Sequence, residues 1–208
     1  GVGTVCQLLI ETFGCKATGV VMLEPLLQHC VYEDERVEYL HAKMTEPPFE
    51  PGTFSHVLIE CRCIAHPDLE AVFAAAKQML APGGQLIVNE PVLSSGSSLP
   101  KILGRMVGET RINEVLQQRT AMEIGIEIAT AGFDMIESRS EPEVTERLHQ
   151  KMQQISMMLK MALRFSSFDP YSEEFPFKKK DLLKAFDEVK TALGDETFAW
   201  HSWRATPN

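Results

Sequence analysis

Five side chains able to do chemistry follow two short apolar runs. Glu60, Cys61, Cys63 and His66 come after His56–Ile59, and Glu90 comes after Leu86-Ile87-Val88. A carboxylate can orient or deprotonate an acceptor, and a neutral imidazole can take a proton from a hydroxyl or amine. His66 and Glu90 are therefore the catalytic candidates. A thiol is a nucleophile or soft-ion ligand once its pKa is lowered. Cys61 and Cys63 alternate, so as strand residues they would point the same way. Each has a plainer use: buried small hydrophobes for the cysteines, a loop histidine beside a helix cap for His66, local pairing for Glu90.

The segment Met79–Glu90 shows how such residues are placed. Leu80 closes an apolar helical face, Pro82 cannot continue it, and Gly83-Gly84 supply the positive φ of a sharp reversal. A short strand, Gln85–Asn89, is expected next. Periodicity predicts a helix over Thr4–Phe13, strands over Thr18–Leu23, Val37–Ala42 and His56–Ile59, and a helix over Leu69–Leu80 capped by Asp68. Helical patterns continue from about Leu99 to Ala131, Gly132 breaks them, and Phe133–Glu137 reads as a strand. Helices over Glu143–Phe165 and Asp181–Leu193 flank a loop at Ser166–Pro176, and Thr197–Thr206 closes the chain as a strand. Alternating strands and helices imply a parallel α/β sheet with crossover helices. In such sheets ligands bind beyond the carboxyl ends of the strands.

The 208 residues suit one domain, 1–208, with a helical insertion at about 143–195. A net charge of −9 argues against a nucleic-acid partner or an anionic membrane, since no positive field exists to hold phosphates. Lys178-Lys179-Lys180 is the one basic cluster and reads as the solvated start of a helix. No apolar run is long enough to span a bilayer. The five cysteines include no C-x-x-C pair and no zinc-type spacing, so no metal is expected and a reducing cytoplasm is the expected setting.

In this order the elements resemble the Rossmann-like fold of class I S-adenosylmethionine (SAM) methyltransferases, of the ubiquinone/menaquinone-biosynthesis-like, type 11-like kind. Gly1-Val2-Gly3-Thr4 resembles the family's G-x-G-T. Glu24 in "VVMLEP" matches the acid that holds the ribose hydroxyls. "PPFEPGTFSHVLIE" resembles the stretch entering the fourth strand, "LAPGGQL" the L-x-P-G-G-x-L signature, "AGF" the entry to the sixth strand and "SWRATPN" the family ending. The resemblance implies a mostly parallel sheet with helices on both faces and SAM as cofactor. Gly1, Gly3 and Glu24 would hold the cofactor, Lys43 and Met44 would flank adenine, and Glu60 and Cys61 would lie near the methyl donor. The family strand that precedes the first glycine is expected upstream of Gly1.

The reaction so implied is methyl transfer to a small, partly apolar acceptor. The Met-rich helix with Met152, Met157, Met158 and Met161, and the aromatics Phe165, Phe168, Tyr171, Phe175 and Phe177, would form a lid over it or a homodimer contact. Departures motivate another use. Lys43 stands where the family places a carboxylate against the adenine amino group, and Ser55 replaces the Asp of "FD". A domain that keeps the fold as a binding module without catalysis fits both. A third reading rests on Cys6 in "GVGTVC" and Cys61 in "ECRC", which match two of the three thiols of arsenite methyltransferases. The third position falls at Thr110.

Overall fold

A glycine just before an apolar-periodic segment starts the first helix. In the computed structural model α1 spans Thr4–Phe13 and is N-capped by Gly3 at φ 92°. The structure describes residues 3–21, 24–61, 63, 66–98, 101, 119–165 and 178–208, without the side chains of 25–26 and 162–165. Gly1, Thr110, the 166–177 loop with its four aromatics, and most of the helical pattern between 99 and 118 lie outside these residues.

Strand β1 (Ala17–Val21) pairs in parallel with β2 (Val37–His41), and a 3-10 turn over Glu24–His29 lies between them. A second sheet has the order β3 (Phe54–Glu60), β4 (Leu80–Leu93), β6 (Phe198–Pro207), β5 (Phe133–Ser140). β3 and β4 are parallel, and β6 runs antiparallel to both its neighbours. It is thus the one reversed strand of this sheet, and a mostly parallel fold is what the sequence predicts. Helices α2 (Leu69–Met79) and α3 (Ala121–Thr130) share a core with β3, β4 and β6. Trp203 of β6, opposite Val88 of β4, sits in that core with Phe73, Ile124 and Ile128. Helices α4 (Pro142–Phe165) and α5 (Lys179–Gly194) pack on Leu93 and Phe198. Leu93 is an odd number of residues from Val88, so it points to the other sheet face.

Several boundaries differ from expectation. No separate turn divides α2 from β4: the strand begins at Leu80, with Phe54 opposite Leu80 and then His56 opposite Gln85. Ala81–Gly84 are bulged out of register. A Cβ on Gly84 would come within 3.0 Å of the Ser55 carbonyl oxygen, so glycine permits the two strands to close again. Strand β4 then runs on to Leu93 because β6 pairs with it to its end. Strand β1 starts at Ala17, one residue before the expected Thr18, and its expected end at Leu23 lies outside the described residues. The 3-10 turn carries no sequence signal that periodicity detects. Helix α3 starts at Thr120, which forms a reciprocal capping box with Glu123.

Ser156 of α4 is buried and donates to Asp187 of α5, which also accepts from Lys160 and Lys190 at 2.8 and 3.2 Å. These donors, Lys160 foremost, hold the Asp187 carboxyl at about 2, below its ordinary 3.8. A depressed folded pKa contributes stability above the unfolded value, and that stability is lost as the carboxylate protonates. The urea midpoint of the wild type is therefore expected to fall as pH drops from about 4 towards 2, and Asp187→Asn to flatten that slope. Identical slopes in both proteins would contradict the assignment.

Candidate functional site

The sequence candidates fall at or just past the carboxyl ends of successive strands. Glu24 opens the turn after β1, Lys43 and Met44 follow β2, Glu60 and Cys61 end β3, and Glu90 lies three residues before the end of β4. Gly3 is buried, and a Cβ there would run into the Tyr39 hydroxyl. Its φ of 92° favours glycine, and the Tyr39 ring from β2 occupies the space beside it. No side chain caps the first turn of α1 and no acid lies in it, so its amides keep their capacity for an anionic group. Glu24 is exposed. The Lys43 ammonium is paired with Glu46 at 3.1 Å, and Met44 is half-buried against the main core.

The exit from β3 is held from β4. Asn89 donates to Glu60 Oε1 at 3.4 Å, and its carbonyl accepts the Cys61 amide at 3.0 Å. Cys61 is exposed with φ 52°, a left-handed conformation costing about 1–2 kcal/mol for a residue other than glycine. The expectation that Cys61 and Cys63 point the same way is therefore corrected. The strand ends at Glu60, the left-handed Cys61 turns the chain, and Cys63 is fully buried. Glu90, with no exposed surface, accepts the Cys63 amide at 2.9 Å through Oε1. Burial, with the Glu90 carboxylate beside it, pushes the Cys63 thiol well above its usual range. Burial likewise raises the half-buried Cys6 thiol, with Cys30 nearby.

His66 accepts the Asp68 amide at Nδ1, 3.1 Å away, while Asp68 accepts the Ala71 amide as the cap of α2. With Nδ1 used as an acceptor, a neutral ring carries its proton on Nε2, so it meets an acceptor molecule as a donor. Arg119, which the sequence reading passed over, donates to the Cys63, His66 and Pro67 carbonyls. Its only sequence signal is its position one residue before the Thr120 cap. On α4, Met152 is half-buried, whereas Met157, Met158 and Met161 are exposed. Among the described residues, no three His, Cys, Asp or Glu side chains gather to hold a metal ion, and no helix is long and apolar enough to cross a membrane.

Comparison with known proteins fits this architecture. Residues 1–84 match the family described as a methyltransferase domain. No curated protein matches the chain in sequence. Among solved structures, phosphoethanolamine N-methyltransferase 2 of Haemonchus contortus, in complex with S-adenosyl-L-methionine, superposes with a TM-score of 0.77 at 17% identity. The match covers 100% of this chain and 46% of that one. Geranyl diphosphate C-methyltransferase of Streptomyces coelicolor A3(2) gives 0.69 at 14%, over 100% and 68%. The [4+2]-cyclase SpnF gives 0.74 at 15%, over 100% and 72%.

Two outcomes follow from the β3 exit. A thiol reagent such as DTNB should modify Cys61 rapidly in the native protein and Cys63 only on unfolding, read by peptide mapping; equal rates would refute the burial described. Glu90→Leu leaves the buried Cys63 amide without this acceptor and should cost about 1–3 kcal/mol in urea unfolding. Glu90→Gln keeps an acceptor oxygen and should cost less. The reverse order would mean that the bond contributes nothing.

Proposed function

From a chain whose first 84 residues match a methyltransferase domain and whose fold is that of the class I SAM-dependent methyltransferases, we propose that it transfers a methyl group from SAM to a small-molecule acceptor. The supporting observation is the succession of Glu24, Met44, Glu60, Cys61 and Glu90 along the carboxyl ends of the parallel strands. That is where an open α/β sheet binds its ligands. The donor set suits the cofactor. The uncapped amides of α1 fit a carboxylate, Glu24 can accept two hydroxyl donors side by side, and Met44 offers an apolar flank. Gly3 shapes the turn before α1. When bound, SAM supplies an electrophilic methyl group on a sulfonium.

The protein's own contribution is mainly placement. Bringing two reactants into line can supply several kcal/mol of a barrier without a strong base. Glu60 and Cys61 form the wall beside the methyl donor. Glu90 is occupied with the Cys63 amide through Oε1 and so shapes this wall. His66, protonated at Nε2, orients an oxygen or nitrogen acceptor as a donor. Met152 of α4, packed beside the strand ends on the Leu93 and Phe198 cluster, gives the acceptor side apolar character.

A second reading, a binding module on the same fold, is favoured by Lys43. Its ammonium sits on Glu46 where a carboxylate is expected, and a fold hosts more than one chemistry. Thiol-assisted arsenite methylation has weaker support, since burial raises the Cys6 thiol and the third thiol position is Thr110. Isothermal titration with SAM and S-adenosylhomocysteine decides between the two principal readings. Micromolar binding is expected, weakened at least about tenfold in Glu24→Ala, the equivalent of roughly 1.4 kcal/mol. Absence of binding to either ligand in the wild type would exclude the methyltransferase reading and leave the module.

A further inference from the structure

Arg119 joins three chain segments that are far apart in sequence. Its own carbonyl accepts the Leu93 amide at 3.0 Å, and Leu93 and Thr120 form a parallel bridge, so its backbone is fixed to the end of β4. Thr120 immediately begins the capping box of α3. From this anchored position the guanidinium reaches back to the loop leaving β3. Nη1 donates to the carbonyls of Cys63 and, at 2.8 Å, of His66, and Nη2 donates to that of Pro67 at 3.3 Å. Three carbonyls converging on one point repel unless a cation with several directed donors lies between them. A guanidinium offers five N–H donors in a rigid planar fork, whereas an ammonium is a point charge on a flexible stem.

The same loop is gripped from the opposite side through its amides. The Cys61 amide goes to the Asn89 carbonyl and the Cys63 amide to Glu90. Between these two grips Cys61 holds its left-handed conformation. A disfavoured backbone conformation persists only where its surroundings over-determine it, and such positions concentrate at functional sites. We infer that Arg119 is a positioning residue for the cofactor-side wall: by holding the carbonyls of Cys63, His66 and Pro67 it fixes Cys61 and His66 against the end of β4. This rests on the methyltransferase reading above, in which that loop lines the methyl donor. It gives Arg119 no contact with ligand and no role in proton transfer.

The test compares wild type, Arg119→Ala and Arg119→Lys by native-state amide hydrogen exchange and by titration with S-adenosylhomocysteine. In Arg119→Ala the amides of Cys61, Cys63 and His66 should exchange at least about tenfold faster, while those within α2 stay protected, showing that the domain remains folded. Affinity for S-adenosylhomocysteine should fall about tenfold. Added methylguanidinium should restore both properties, and Arg119→Lys should restore neither. Unchanged loop exchange in Arg119→Ala would overturn the clamp. Faster exchange with unchanged affinity would overturn the positioning role and leave a staple. A wild type that binds no S-adenosylhomocysteine would refute the methyltransferase reading, while the exchange data would still judge the clamp.

Discussion

A carboxylate with no exposed surface cannot be left without hydrogen-bond partners, and Glu90 meets that constraint partly through the amide of Cys63. The bond ties the buried face of β4 to the chain leaving β3. It also lies in line with the apolar residues Leu86, Val88 and Val92 that pack the main core. The wall of the candidate site and the core of the domain are thus one construction. Loosening either disturbs the other.

Around that bond the described residues after β3 are held through both donors and acceptors. Amides turn towards β4 and carbonyls towards Arg119. This arrangement lets a loop at the edge of the sheet hold a strained residue. It also separates two thiols only two positions apart. Cys61 is exposed, and Cys63 is buried and held protonated. Their chemical difference comes from the backbone turn between them and not from their identity.

The reversed strand β6 has a comparable influence on the opposite side. By pairing with β4 over eight residues it carries Trp203 into the core and extends β4 to Leu93. Leu93 then seats the α4–α5 pair, whose Asp187 gathers Ser156, Lys160 and Lys190. The pair therefore stands beside the strand ends, with Met152 inward and Met157, Met158 and Met161 outward.

Local chemistry fixed much of this in advance. Helix α1 and the Asp68 cap were legible because apolar periodicity and a side-chain acceptor act over a few residues. The alternation of strand and helix implied an α/β sheet with crossover helices, and the resemblance carried by motifs such as GVGT and LAPGGQL narrowed it to one fold. The placement of Glu24, Met44, Glu60 and Cys61 at strand ends followed from that order. The length of β4 was not legible, because its last residues are strand only through pairing with a segment more than a hundred positions away. Nor was the role of Arg119, whose three acceptors lie on a loop more than fifty positions upstream. The fates of Cys61 and Cys63 were decided in the same way. Burial and hydrogen bonding across strands are properties of the assembled sheet, and periodicity in one segment carries no information about the segment that will pack against it.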